Sequence, residues 1–321
     1  MKIQVIGWYN HCNVGDESYK LTFPLLFPQH TFEFSENLPK HENYDCVILG
    51  GGNVFSPQFT DKLASVKKPV YAMSVGIDRA FDCKTKFRHV YAREMHSLDQ
   101  LKKMGMPCSF LPDFAFALKG NSESGHKKIM QYADGAEVYE KVVGIVVNAY
   151  MIKGLQENIG REALAFMTFA YELALAIDSI CASFIFIPFG TELPTDDRVA
   201  NCWVASKCKY HKKNVVIYDR PSVQDTMNII SACDVVVSSR LHSSIFAFNT
   251  GVPFVDITHH DKNKSFLQLI NKEDCSVPFV GFNPKCFSEK VNAALSSVRD
   301  SASEKIRMQL KEKCNDIHFN Q

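Results

Sequence analysis

The feature that most constrains this chain is a repeated alternation. Short apolar runs that end in glycine or serine are followed by amphipathic segments, first over residues 2–116 and again over 141–257. YDCVILGGG (44–52) is apolar without a break until its glycines, as expected of a strand covered on both faces. The first series reads as strands at 2–7, 30–35, 44–52, 69–76, 89–94 and 109–116. Helices are expected from about Glu17 to Pro24, between residues 53 and 68, and at 96–105, where Gly105 and Pro107 stop the last. The second series reads as strands at 141–150, 182–190, 214–220, 234–240 and 253–257. Its helices fall at 160–180, 195–209, 222–233 and 242–251, and a long terminal helix at 288–314. Ser222 and Asp225 resemble a capping box.

Strands alternating with helices argue for parallel sheets with right-handed crossovers. The expected fold class is therefore α/β, with two Rossmann-like domains facing a cleft. Residues 1–118 form an N-terminal domain and 142–321 a C-terminal one. Residues 119–141, polar and without a sustained apolar period, form a linker that has room for a short helix.

Composition excludes several classes. With 46% hydrophobic and 22% charged residues the chain is globular, and a net charge of +1 leaves no chain-wide basic field for nucleic acid. The 11 cysteines form no CxxC pair and no zinc-finger spacing, so they read as thiols in a reducing compartment. The start, MKIQVIGWYN, lacks a signal-peptide core, and no apolar run approaches the roughly 18–20 residues of a membrane span. A cytoplasmic location and no integral membrane segment are expected, with room left for a homo-oligomer.

Ligands of open α/β sheets bind beyond the carboxyl ends of the strands. In DVVVSSRLHSSIFAFNTGVPFVDI (234–257), a buried strand delivers Ser239, Arg240, His242, Ser243 and Ser244 to such an end. Arginine presents a fork of donors suited to carboxylate or phosphate, and histidine exchanges a proton near neutral pH. Serines at a helix start cap it or bond an anion. The competing reading pairs Arg240 internally with an aspartate.

Three other loops fall at strand ends. In GWYNHCNVGDES (7–18), Gly15 and Asp16 open a helix; Asp16 is a cap or a sugar ligand, and Asn13 a turn residue or a donor. In GGGNVF (50–55), Gly51 and its neighbours permit close backbone approach or a tight turn, and Asn53 follows them. In YAREMHSLDQ (91–100), Arg93 and Ser97 suit an anion or form an ion pair and a helix start; Asp113 suits a turn or cap. His259 and His260 are adjacent and would face opposite ways in a strand, so a metal site is not expected; Lys262 and Lys264 read as solvated.

Taken together, these words resemble the polysaccharide pyruvyl transferase family. GWYNHCNVGDES, DCVILGGGNVF, YAREMHSLDQLKKMG, LPDFAF and SSRLHSSIFAFNTGVPFVDI stand in family order from residue 7 to about 257. Glu94 departs from the aspartate common after the family's third-motif arginine. The resemblance implies a fold similar to the two-Rossmann GT-B type, with the tail packing back on the first domain unless it frays. It implies transfer of a pyruvyl group from phosphoenolpyruvate to a sugar or glycan acceptor as a ketal, with no cofactor and no metal. Under it, His242 and Asp16 are catalytic. Arg240, Arg93, Ser239, Ser243, Ser244 and Gly51 take the donor; Asn13, Gly15, Asp16 and Asn53 take the acceptor. The main alternative is a GT-B glycosyltransferase using a nucleotide sugar, the one reading that admits a modified DNA base as acceptor. A non-catalytic binding protein on the same fold is the third.

Overall fold

The computed structural model describes residues 1–319 apart from 42, 135, 137, 150, 152–160 and 194. The chain forms two compact units. One comprises Met1–Leu118 with Glu304–Gln321, the other Lys119–Ser303.

The first unit is built on a parallel sheet of β1 (Lys2–Ile6), β2 (Thr31–Ser35), β3 (Cys46–Gly52), β4 (Val70–Val75), β5 (His89–Ala92) and β6 (Cys108–Phe110). Its spatial order is β2-β1-β3-β4-β5-β6. Every residue of β3 and β4 is buried, which is why their sequences show no polar alternation. Helix α1 (Val14–Leu26) starts earlier than Glu17 because Asn13 caps it, and it runs through Pro24 because Phe23, Leu26 and Phe27 pack into the core. Helices α2 (Pro57–Leu63) and α3 (Met95–Lys103) follow, and Gly105 after α3 adopts φ +68°.

The expected strand at 109–116 is only partly a strand. It ends at Phe110, and Asp113 caps a 3-10 turn over Phe114–Ala117. Pro112 explains the break, since it has no N–H for the ladder.

The second unit carries β7 (Val142–Val146), β8 (Ser183–Phe186), β9 (Asn214–Val216), β10 (Val235–Ser238), β11 (Phe254–Thr258) and β12 (Ser276–Pro278). They are parallel, in the order β12-β11-β10-β7-β8-β9. Helix α4 (Ser122–Tyr132) lies in the segment expected as a linker and packs on a later helix, α7 (Val223–Ala232). A Cβ at Gly125 would stand 2.0 Å from Asn228 O. Gly125 therefore marks a close helix crossing rather than a break. The remaining helices are α5 (Arg161–Ser179), α6 (Asp197–Lys207), α8 (Leu241–Asn249), α9 (Asp261–Leu269), α10 (Pro284–Leu295) and α11 (Ser303–Asn315), the last falling mostly in the first unit. Tyr150, at the end of one expected strand, and Gly160, at the start of the next expected helix, lie outside the described residues.

Alternate strand residues such as Ile145, Phe184, Phe186, Val235 and Val237 form one core with α5, α6 and α10. The single terminal helix expected over 288–314 is two helices. Asp300 N donates to Gly251 O at 3.0 Å, and a Cβ at Gly251 would meet Asp300 O at 2.4 Å. That backbone crossing requires an extended stretch between α10 and α11. Lys262 and Lys264, expected in a solvated loop, lie instead in the first turns of α9, and β12 adds a strand at the sheet edge. Beyond α11, Phe319 packs its ring on Phe27 and Tyr71 within the first unit.

Candidate functional site

In the second unit, β10 ends at Ser238 and α8 begins at Leu241, with Arg240 as the extended residue at the helix start. Arg240 Nη2 donates to Asp197 Oδ1 at 2.6 Å and to Thr195 O at 3.4 Å. Asp197 is fully buried at the first residue of α6. Its carboxylate also accepts the backbone N–H groups of Ala149 (2.8 Å), Phe189 (3.0 Å) and Gly190 (2.9 Å). One carboxylate thus ties the loops after β7 and β8 to the arginine after β10. A Cβ at Gly190 would stand 2.7 Å from Thr195 O and 2.8 Å from Arg240 Nη2, so glycine leaves room there for the Thr195 backbone beside the guanidinium. The internal pairing expected as the competing reading of Arg240 is present, and it holds the guanidinium in place at the strand end.

His242 lies in the first turn of α8 and is half-buried. The serines around it behave differently from expectation. Ser239 Oγ donates to Val146 O and accepts from Asn148 N, joining β10 to the loop after β7. Ser243 Oγ donates to Arg240 O, and Ser244 Oγ donates to Asp256 Oδ2 at 2.6 Å. All three are buried. Their hydroxyls pin the start of α8 instead of presenting themselves to a donor. Asp256 also accepts from Thr258 Oγ1 and Asn263 Nδ2, and burial raises its carboxyl pKa against the opposing effect of these hydrogen bonds.

Two further residues, Asn148 and His259, lie close to Arg240 at this strand end. Asn148 follows β7, and its Nδ2 stands 3.4 Å from His259 Nε2. His259 follows β11, and burial, together with the positive charges of Lys262, His260 and Arg240, pushes its pKa down to about 4. It is a neutral imidazole at pH 7. His260 points elsewhere and accepts from Lys262 N as the cap of α9. Asp197, Asn148 and His259 lie 43, 92 and 19 residues from Arg240 along the chain. Only the parallel strand order brings them together, and no local pattern signals it.

In the first unit the quoted words meet in a buried polar network. Tyr19 Oη donates to Asp113 Oδ2 at 2.8 Å, and Arg93 Nη1 donates to the same oxygen at 3.2 Å. Glu94 Oε2 stands 3.7 Å from Arg93 Nε, and Ser97 Oγ donates to Glu94 Oε1. Burial works against charge on Arg93, but Tyr19, Glu94 and Asp113 more than offset it, so its pKa is raised. Burial, then Asp113, raises Tyr19. An irregularity in β4 gives Ser74 φ +54° and turns its hydroxyl toward Phe114 N and Tyr19. Arg93, expected to hold the donor, is instead buried in this internal ion-pair network, and Ser97 serves it too.

Gly51 is likewise a packing residue. Its φ is +66°, and a Cβ would fall 2.2 Å from the Tyr19 ring. Asn13 accepts from Gly15 N and caps α1, which is its turn reading. Asp16 stays half-buried at the start of α1, and its Oδ1 would lie 2.5 Å from a Cβ on Gly52. Asn53 is exposed and donates to Asp78 Oδ1 at 3.0 Å. Asp16 and Asn53 therefore occupy the carboxyl end of the first sheet. Among the described residues no three His, Cys, Asp or Glu side chains gather to hold a metal ion, and no helix is long and apolar enough to cross a membrane.

Two parallel-sheet α/β domains of this kind define a GT-B-like protein. UDP-GlcNAc 2-epimerase of Methanocaldococcus jannaschii, solved with UDP-GlcNAc and UDP, matches with a TM-score of 0.60 at 14% identity, over 97% of this chain and 100% of that one. ADP-heptose LPS heptosyltransferase II of E. coli matches with a TM-score of 0.50 at 14% identity, over 92% and 98%. Within that class, the chain belongs to the polysaccharide pyruvyl transferase family, whose sequence profile matches residues 8–261, and it is a transferase. The amylovoran biosynthesis protein AmsJ of Erwinia amylovora is 22% identical over 324 residues, spanning 86% of this chain and 71% of AmsJ.

Proposed function

We propose that the protein transfers the pyruvyl group of phosphoenolpyruvate to two hydroxyls of a sugar acceptor, forming a cyclic ketal and releasing inorganic phosphate. The observation that carries this reading is Arg240, clamped by Asp197 at the end of β10, two residues before His242 in the first turn of α8. A fixed guanidinium beside a helix start suits a small ligand with a carboxylate and a phosphate.

His242 protonates the enol methylene, which becomes the ketal methyl group. The carbon that bore it becomes electrophilic, one sugar hydroxyl adds, and the C–O bond to phosphate breaks. The second hydroxyl then closes the ring. Of the two hydroxyl protons, one replaces the proton that His242 gave and the other leaves with phosphate. Arg240 stabilises the charge that builds on the departing phosphate. Asp16, with Asn13, Gly15 and Asn53 at the end of the first sheet, is assigned to the acceptor, Asp16 drawing off a hydroxyl proton.

The test compares the melting temperature of the protein with phosphoenolpyruvate and with a panel of nucleotide sugars, because a ligand that binds only the folded state raises it. Phosphoenolpyruvate should stabilise wild type and His242→Asn but not Arg240→Ala. Stabilisation by a nucleotide sugar in place of phosphoenolpyruvate would overturn the proposal in favour of glycosyl transfer. His242→Asn should keep binding and lose ketal formation.

A further inference from the structure

Helix α5 is apolar on both faces. Phe166, Phe169, Ala170, Leu173 and Ile177 enter the core of the second unit. On the opposite face, Leu164, Met167, Tyr171 and Leu175 recur at helical spacing and are exposed. A helix apolar all round is ordinarily buried on all sides. On the neighbouring α6, Val199 and Trp203 are exposed one turn apart. The third helix of this layer, α10, behaves as a solvated helix should, with Lys285, Glu289 and Asn292 outward. Within this layer of three helices, the exposed large apolar side chains therefore lie on α5 and α6.

We propose that this α5–α6 face is the contact between two copies of the chain, related by a two-fold axis that passes near Tyr171. The six residues are between 39% and 64% exposed. At roughly 200 Å² for a large side chain, they amount to about 600 Å² per copy and ~1,200 Å² in a symmetric pair, which reaches the range of specific protein–protein interfaces. A two-fold contact needs one patch that complements itself, and a single straight stripe on a helix meets that condition when two copies cross. Tyr171 and Trp203, both exposed on this face, are of the residue types that anchor such contacts. A lipid surface fits less well. From 164 to 179 α5 carries Glu172 and Asp178 and no Lys or Arg; on α6, Arg198 pairs with Asp196 and Lys207 lies over the Trp203 ring, whereas an anionic membrane selects a row of basic residues along the polar flank.

The face is remote in sequence from the motif words, so the contact can be broken without touching them. Sedimentation velocity over about 1–100 µM, a range that brackets weak and stable dimers, should give twice the chain mass for wild type. Tyr171→Arg/Leu175→Arg should sediment as a monomer with a melting temperature close to that of a wild-type sample dilute enough to be monomeric. Tyr171→Gln/Leu175→Gln, which adds no charge, should shift the dimer dissociation constant upward at least tenfold. A wild type that is monomeric throughout would overturn the proposal, as would a dimer that neither variant weakens. Wild-type binding to phosphatidylglycerol vesicles that both variants lose would overturn it in favour of a membrane surface.

Discussion

Removing the Asp197 carboxylate should do more damage than removing the arginine it holds. Asp197→Ala leaves three backbone N–H groups without their acceptor and the Arg240 guanidinium without its ion partner. Breaking a buried pair from one side costs about 3–5 kcal/mol, and unsatisfied donors add about 1–3 kcal/mol each where water cannot reach them. Water entering the vacated space offsets part of this, so the expected loss is about 4–6 kcal/mol. Arg240→Ala leaves Asp197 with its three amide donors, so its loss should be about 1–3 kcal/mol. The double variant should then be more stable than the two single losses add up to, with a coupling of about 2 kcal/mol.

Urea unfolding, followed by Trp fluorescence in a Trp8→Phe background, is the assay. The chain has two tryptophans, and Trp203 sits on α6, the helix that Asp197 begins. The signal therefore reports the second unit alone, which matters because two units need not unfold together. Losses that add within about 0.5 kcal/mol, or an Arg240→Ala loss equal to that of Asp197→Ala, would refute the clamp.

Two further outcomes follow from the same packing. His259 has a folded pKa of about 4, below its unfolded value near 6.5, so the unfolded chain binds its proton first. Its contribution is fully present above pH 6.5 and is lost as pH falls toward 4; His259→Asn should flatten the urea-midpoint profile across that window by about 2–3 kcal/mol. An unchanged slope would show that the imidazole charges freely in the folded protein. Gly51→Ala would force a side chain into φ +66° and against the Tyr19 ring. It should lower stability by about 3 kcal/mol or more, measured by thermal unfolding of the first unit, and a neutral effect would disprove the packing role.

The α/β alternation was legible because buried parallel strands leave long apolar runs and the helices between them keep a 3.6 period. So were Arg240 and His242, since the end of an apolar strand is a place a sequence marks directly. Element ends were less so. Asn13 started α1 early, Pro112 cut a strand short, and the Gly251–Asp300 crossing split the last helix. Each depends on a contact or cap that no window of residues displays.

Local periodicity is enough to specify the class of fold and the strand ends, including the one that Arg240 and His242 follow. Only the tertiary structure decided which polar residues remain available. It turned Ser239, Ser243, Ser244 and Arg93 inward and brought Asp197, Asn148 and His259 beside Arg240. The reason is physical. A buried polar group must find a partner, and where that partner comes from a neighbouring strand of a parallel sheet it lies far away in the chain.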